Sequence, residues 1–287
     1  YALLVSNQSL SLFNIEHKAI AVQNFPTLNN DGELLVLKNT NGKTIDSVDY
    51  KRSWYRDEDK AEGGWSLERI DLENFCLDAK NWAASEDESG GSPGRTNAIA
   101  ASLPDQMAPK LIAAIVENNQ TLVLSFDERL SRELPSIENI NISPLLEIER
   151  LSFKNSTLHS ITLHLSSIIN EGILYEVETK NIYDCAGNKI DEDQKQVEFV
   201  LPQEATTGDV LINEILFNPK SGGVDFVEIY NSSPKYLSLR KWQLGNVDGD
   251  TTINNRTISD ETLILRPYSY LVVTSDTDQL HNHYPQG

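Results

Sequence analysis

Apolar and polar positions alternate with a period of two over many short stretches separated by polar turns, the signature of half-buried β-strands. Residues 33–38 (ELLVLK) and 44–49 (TIDSVD) flank Asn39-Thr40-Asn41-Gly42-Lys43, a hairpin whose Asn-Gly pair supplies the positive φ that the turn requires. Residues 111–116 and 121–126 (TLVLSF) flank Glu117-Asn118-Asn119-Gln120 and predict a second hairpin. At 158–165 the alternation puts Ile161, Leu163 and Leu165 on one face and Thr162 and His164 on the other. Further strands are predicted at 173–179, 196–201, 210–217, 224–230, 237–244, 262–265 and 270–274. Helical patterning is confined to 9–17 and 278–284, the second stopped by Pro285. Many short strands at regular spacing predict an all-β architecture of sandwiches with two short helices.

Two stretches interrupt this pattern. Residues 89–104 are rich in Gly, Ser, Ala and Pro, and residues 202–208 are polar and lack periodicity. Between them lies a block of the usual size for one seven-strand sandwich. An internal repeat links the two ends of the chain. Tyr1-Ala-Leu-Leu-Val-Ser-Asn7 matches Tyr270-Leu-Val-Val-Thr-Ser-Asp276 in character, each a Tyr-led strand closed by Ser and an Asx residue and followed by a short helical stretch. On this pattern the chain starts partway into one unit and stops after the same point in a second copy. With no initiator Met and no basic leader before the apolar Tyr1 run, it reads as a fragment of a longer protein.

These residues carry a family resemblance. Val210-Leu-Ile-Asn-Glu-Ile215, Asp225-Phe-Val-Glu-Ile-Tyr-Asn231 and the later Tyr-Leu-Val-Val strand resemble the first half of a lamin-tail domain. Asn30-Asp-Gly-Glu-Leu34, Ile45-Asp-Ser-Val48, Gly64-Trp-Ser-Leu-Glu-Arg69, Asn81-Trp82 and Ser92-Pro-Gly94 resemble the second half of another. Leu122-Val-Leu-Ser-Phe126 and Asp184-Cys-Ala-Gly-Asn188 make the middle block similar to a bacterial Ig-like domain. The resulting division is 1–98 (second lamin-tail half), 99–108 (linker), 109–201 (Ig-like domain), 202–208 (linker) and 209–287 (first lamin-tail half). The resemblance implies immunoglobulin-like β-sandwiches throughout and a binding, adhesion or spacer role without catalysis, in an extracellular or cell-surface setting. It transfers no catalytic residue. Half a sandwich left alone exposes strand edges and an apolar face. The two halves are therefore expected to complete each other in cis, or in trans by exchange between copies to give a homo-oligomer.

Charge and cysteine content narrow the classes further. The net charge of −19 argues against nucleic acid and anionic membrane surfaces, both of which require clustered Lys and Arg. The acidity is distributed along the chain and marks no site. No stretch approaches ~18 apolar residues, so no membrane-spanning helix is predicted. The two cysteines, Cys76 and Cys185, fall in segments that read as different domains, so neither a disulfide framework nor a Cys-based zinc site is expected.

Candidate chemistry is sparse. Asp248 and Asp250, in Asp-Gly-Asp with Asn246 and Asn254 nearby, alternate oxygen ligands suited to calcium, against the reading of a solvated turn without the spacing of an EF-hand. No other cofactor is expected. Trp54 and Tyr55 are the candidates for an exposed aromatic pair that stacks on a glycan or anchors a protein partner, whereas Trp65 and Trp82 are read as core. That pair carries the alternative function, a carbohydrate- or substrate-targeting appendage of a secreted hydrolase. Glu214 and Glu228 are read as structural carboxylates. His281 and His283 are two residues apart on a helix, which does not put them on one face. His159 and His164 are expected at the solvent side of their strands. No Ser–His–Asp set, phosphate-binding Gly loop or Cys–His pair stands in recognisable order.

Overall fold

The computed structural model describes residues 1–13, 19–74, 76–248 and 251–285. The alternating stretches become strands, and the chain divides into two compact units, Tyr1–Ser167 with Glu176–Glu198, and Ile168–Tyr175 with Phe199–Gly287. No helix among the described residues is long and apolar enough to cross a membrane.

The first unit opens with three two-stranded ladders. They are β1 (Leu3–Ser6) parallel to β2 (Ala19–Val22), β3 (Gly32–Lys38) antiparallel to β4 (Thr44–Lys51), and β5 (Leu67–Arg69) antiparallel to β6 (Trp82–Ala84). The short helix α1 (Glu58–Ala61) is capped by Asp57, whose side chain accepts from the Lys60 amide at 3.1 Å. At the start of the first hairpin, Gly32 has φ +126°, and a Cβ there would stand 2.3 Å from the Tyr50 carbonyl oxygen. The glycine of Asn30-Asp-Gly is thus fixed by close approach of the partner strand. At the tip only Gly42 of the Asn-Gly pair takes a positive φ, at 78°.

The rest of the first unit holds most of the Ig-like sandwich. Its larger sheet runs β10 (Ile148–Phe153), β11 (Ser160–Leu165), β8 (Thr121–Phe126), β7 (Leu111–Asn118), and the smaller runs β13 (Gln196–Val200), β12 (Leu174–Thr179), β9 (Ile140–Ser143). Seven strands in two sheets is the count of an immunoglobulin sandwich. The alternation is realised in space: Ile161, Leu163 and Leu165 of β11 pair with the buried β8 residues or lie beside them, and Val177 of β12 sits opposite Ile142 of β9. Tyr175 and Phe199 stack at 5.2 Å between ring centroids.

In the second unit, β14 (Val210–Leu216), β15 (Phe226–Asn231) and β20 (Tyr270–Thr274) form an antiparallel sheet with β15 in the middle. Two small ladders accompany it, β16 (Leu237–Ser238) with β19 (Ile264–Leu265) and β17 (Gln243–Asp248) with β18 (Thr251–Thr257). The core here is Ile229, Leu239 and Leu265, with Val210, Val227, Trp242, Leu263 and Leu271 packed against them. Asn231 explains the polar end of its motif. Fully buried, its amide donates to the carbonyls of Lys235, Leu265 and Arg266 at 2.7, 3.3 and 2.9 Å, and its Oδ1 accepts from the Ser233 amide and hydroxyl. Helix α2 (Thr277–His283) is N-capped by Asp276, whose carboxylate accepts from the Gln279 amide and from Gln279 Nε2.

Three expectations are corrected. The predicted strand at 237–244 breaks into β16 and β17, because a turn with Lys241 at φ 63° carries the Trp242 amide back to the Leu239 carbonyl. The helix expected over 9–17 is a 3-10 turn at Leu10–Leu12, and residues 14–18, His17 included, lie outside the described residues. Within the 89–104 stretch the Leu103 amide donates to Asp71, and just beyond it Asn188 Nδ2 donates to the Asp105 carbonyl. Lastly, Cys76 and Cys185 form a disulfide across 109 residues of sequence, with Cα atoms 5.5 Å apart. Sequence distance concealed this, because folding brings the loop before β6 against the loop after β12 within one unit.

Candidate functional site

The disulfide marks a junction in the first unit where buried charge collects. Asp78, two residues after Cys76, lies 2.6 Å from His159 Nε2 and 3.6 Å from Arg129 Nη2, and that same Nη2 donates to the Ser47 carbonyl. His159, 31% exposed at its side chain, thus keeps its place near the solvent side while contacting Asp78. His164 Nε2 stands 3.1 Å from Ser152 Oγ.

Beside this network, one carboxylate oxygen each from Asp105, Glu128 and Asp184 gather within 4.8 Å of one another. They come from three places: the 99–108 segment, the loop after β8, and the Asp-Cys-Ala-Gly-Asn turn. Asp184 is buried and organises that turn, its Oδ1 accepting from the Ala186 and Asn188 amides and its Oδ2 from Asn188 Nδ2. Glu128 is 9% exposed, and its Oε1, like Asp105 Oδ2, is buried without a hydrogen-bond partner. Burial pushes the Glu128 carboxyl up to about 8, and the charges of Asp105, Asp127 and Asp184 add to the rise while Lys80 opposes it. This cluster has no signature in the sequence, since its members are 23 and 56 residues apart and share no local spacing. The turn motif at 184–188 was its only visible trace.

In the N-terminal part, two of the resemblance motifs meet. Glu68 is buried, and its Oε1 accepts from the Ser92 amide at 3.1 Å and from Ser92 Oγ at 2.5 Å. Gly90 passes so close to Gly64 that a Cβ on it would stand 2.0 Å from the Gly64 carbonyl oxygen. Burial raises the Glu68 pKa, but hydrogen bonds from Ser92, Ser85 and the Ile99 and Ala98 backbone outweigh it and hold the carboxyl below its ordinary 4.5. Its folded-state pKa thus lies below the unfolded one, so its contribution is complete above the ordinary carboxylate range and is lost as pH falls through the folded value. Glu68→Gln is expected to lower stability at pH 7 by about 1–3 kcal/mol and to flatten the acid limb of a stability–pH curve. Denaturant titrations of both proteins from neutral to acid pH check this, and parallel acid limbs would refute it.

The aromatic candidates separate. Trp54 is 9% exposed, on a 3-10 turn at Arg52–Tyr55, with its ring 6.2 Å from that of Trp82. The surface expectation for Trp54 is corrected on this ground, because its faces are taken by packing. Tyr55 is half-buried, and its hydroxyl donates to the Trp65 carbonyl at 2.9 Å. Trp65 and Trp82, read as core, are half-buried instead and carry Lys60 and Arg69 over their rings at 4.5 and 5.1 Å. Tyr55 and Trp82 border a cleft of about 540 Å³ whose other walls include Leu35, Val48, Tyr50 and Leu67.

In the second unit, Glu214 and Glu228 face each other across β14 and β15, and Asn213 Nδ2 donates to Glu228 Oε1 at 2.7 Å. His281 and His283 stand apart, the first with Nδ1 2.8 Å from the Thr277 carbonyl and the second with Nε2 2.8 Å from that of Gly222. Asp248 closes β17, and Asp250 lies outside the described residues.

The sheet itself is the unusual feature. Ile212, Ile229 and Leu271 form one cross-strand row and Ile215, Val227 and Val273 another, a register shift between Ile212 and Glu214 keeping both β14 isoleucines on the same face. Ile229 is buried by Leu239 and Leu265, yet Ile212 and Ile215 are 60% and 56% exposed. The covering layer reaches β15, β20 and the start of β14 at Val210, but leaves the Ile212–Ile215 stretch of β14 bare.

Residues 203–286 match the family model of the Lamin Tail Domain. In this lamin-tail segment the motif residues have structural work: Asn231 gathers three carbonyls, and Ile212 and Ile215 belong to the apolar face. Among solved structures, the chain is similar to surface layer protein SbsC, domains 1–6, at 16% identity over 38% of this chain and 16% of that one, with a TM-score of 0.31. It is also similar to the N-terminal part of the bacterial S-layer protein SbsC at 13% identity, over 57% of this chain and 45% of that one, with a TM-score of 0.30. The chain thus spans under half of either structure, and overlaps this partial carry no functional argument. No curated protein matches the chain.

Proposed function

We propose that this chain is a non-catalytic structural and binding module of an extracellular or cell-surface protein, working by mutual completion of lamin-tail halves. The observation that carries this reading is the bare apolar half of the β14–β15–β20 sheet, where Ile212 and Ile215 continue a core face into solvent. Full burial of an isoleucine is worth about 1.5–3 kcal/mol, so a face of this kind favours a partner layer. The occupant is the complementary half, supplied in a solution of this chain by residues 1–98 of a second copy. Those residues have the matching deficiency, an open cleft walled by Leu35, Val48, Leu67 and Trp82. The Cys76–Cys185 disulfide supports the extracellular assignment, since such bonds persist in oxidising compartments.

Light scattering across a dilution series tests the reading. The mass should rise from the monomer's 32.2 kDa toward twice that value as concentration increases. Ile215→Lys, at an exposed position, should keep its fold and hold the monomer mass at every concentration. A wild-type chain that stays monomeric throughout would refute completion in trans.

A further inference from the structure

We propose that Asp105, Glu128 and Asp184 form a binding site for one calcium ion beside the Cys76–Cys185 disulfide. The site is independent of the half-sandwich reading, because all three residues lie in the first unit. When all three groups are ionised, oxygens within 4.8 Å of one another repel, and a cation between them relieves that repulsion. Lys80 opposes this charge only at a distance, its Nζ being directed to Met107 Sδ at 3.2 Å.

Hydrogen bonding points the same way. Buried polar atoms are nearly always paired, and one that is not costs a desolvation penalty with nothing in return. Here two of the three clustered residues carry such an orphan: Oε1 of Glu128, a side chain only 9% exposed, and Oδ2 of Asp105. A cation among the three groups would satisfy both at once. The chemical class follows from the donors. All are carboxylate oxygens, and both cysteines are committed to the disulfide, so no thiolate is present and hard cations are selected over thiophilic ones. Donors drawn from three separate loops suit the adaptable coordination of calcium better than the rigid octahedron of magnesium.

Occupancy would join the 99–108 segment, the loop following β8 and the Cys185 turn. It would therefore fix the junction between the N-terminal ladders and the Ig-like sheets. This site is distinct from Asp248 and Asp250, the pair that the sequence singled out.

The test uses the whole chain, stripped of metal with a chelator and titrated with calcium by calorimetry, with thermal melts recorded in parallel. One calcium should bind per chain, and Tm should rise on addition and fall back with chelator. Glu128→Gln keeps the side-chain shape and should abolish both responses, while Asp248→Asn should leave them intact. If Glu128→Gln does not fold, Asp105→Asn at the half-buried ligand takes its place and should weaken binding at least tenfold. Absence of any calcium response in the wild-type chain, or a response that survives loss of the Glu128 and Asp105 carboxylates, would overturn the proposal.

Discussion

Replacing Cys76 with Ser is expected to lower the stability of the first unit by about 2–5 kcal/mol. The bond closes a loop of 109 residues, and in the chain-entropy account a loop of this size restrains the unfolded ensemble by roughly 4–5 kcal/mol. It also acts where few other covalent or regular links exist. The N-terminal ladders are two-stranded, and the links that join them to the Ig-like sheets include the disulfide, the Asp78 contacts with Arg129 and His159, the Arg129 contact with the Ser47 carbonyl, and the Ser47 hydroxyl donating to the Ser156 carbonyl. Urea titrations of the wild type with and without reductant, and of Cys76→Ser, check the expectation. The reduced wild type and the variant should share one lowered midpoint. Midpoints unchanged by either treatment would show that the bond does not restrain the unfolded chain.

Trp54→Ala should cost about 3–5 kcal/mol, the range for deleting a buried tryptophan. The indole is nearly enclosed and its ring lies against Trp82, whose other neighbour is the Arg69 guanidinium, so truncation leaves a cavity between two elements that cannot close without moving β6. An exposed sugar-stacking tryptophan would behave otherwise, with a stability change within ~0.5 kcal/mol. Trp54→Phe should recover most of the loss. Chemical denaturation of the three proteins separates the two cases, and a Trp54→Ala variant as stable as wild type would return Trp54 to the surface.

How much of this was legible beforehand depended on whether the signal is local. Strands at Thr121–Phe126 and Tyr270–Thr274 follow directly from alternation, because burial on one face writes a period of two into the chain. Strands β5 and β6 are three residues long and β18 reads TTINNRT, too short or too polar to leave that trace. The turn at Lys241 was invisible because neither Gly nor Pro announces it. The family motifs were legible as words, but their physical meaning appeared only in space, where Glu68 meets Ser92 and Asn231 collects its carbonyls. The disulfide and the Asp105–Glu128–Asp184 cluster escaped for a common reason. Their members are distant in sequence and are joined only by the packing of the N-terminal ladders on the Ig-like sheets. Conversely, the Asp-Gly-Asp run attracted attention through local spacing alone.

The central claim is that the bare face of β14 and the open cleft of residues 1–98 complete each other between copies. Hydrogen exchange followed by mass spectrometry, at low and at high protein concentration, tests it most directly because it locates the contact. Amides in 210–217 should gain protection at high concentration, and those in 32–51 and 61–67 should gain it in step, while the Ig-like strands β8 and β11 stay unchanged. Exchange that is identical at both concentrations, or protection gained in the Ig-like sheets alone, would contradict the account.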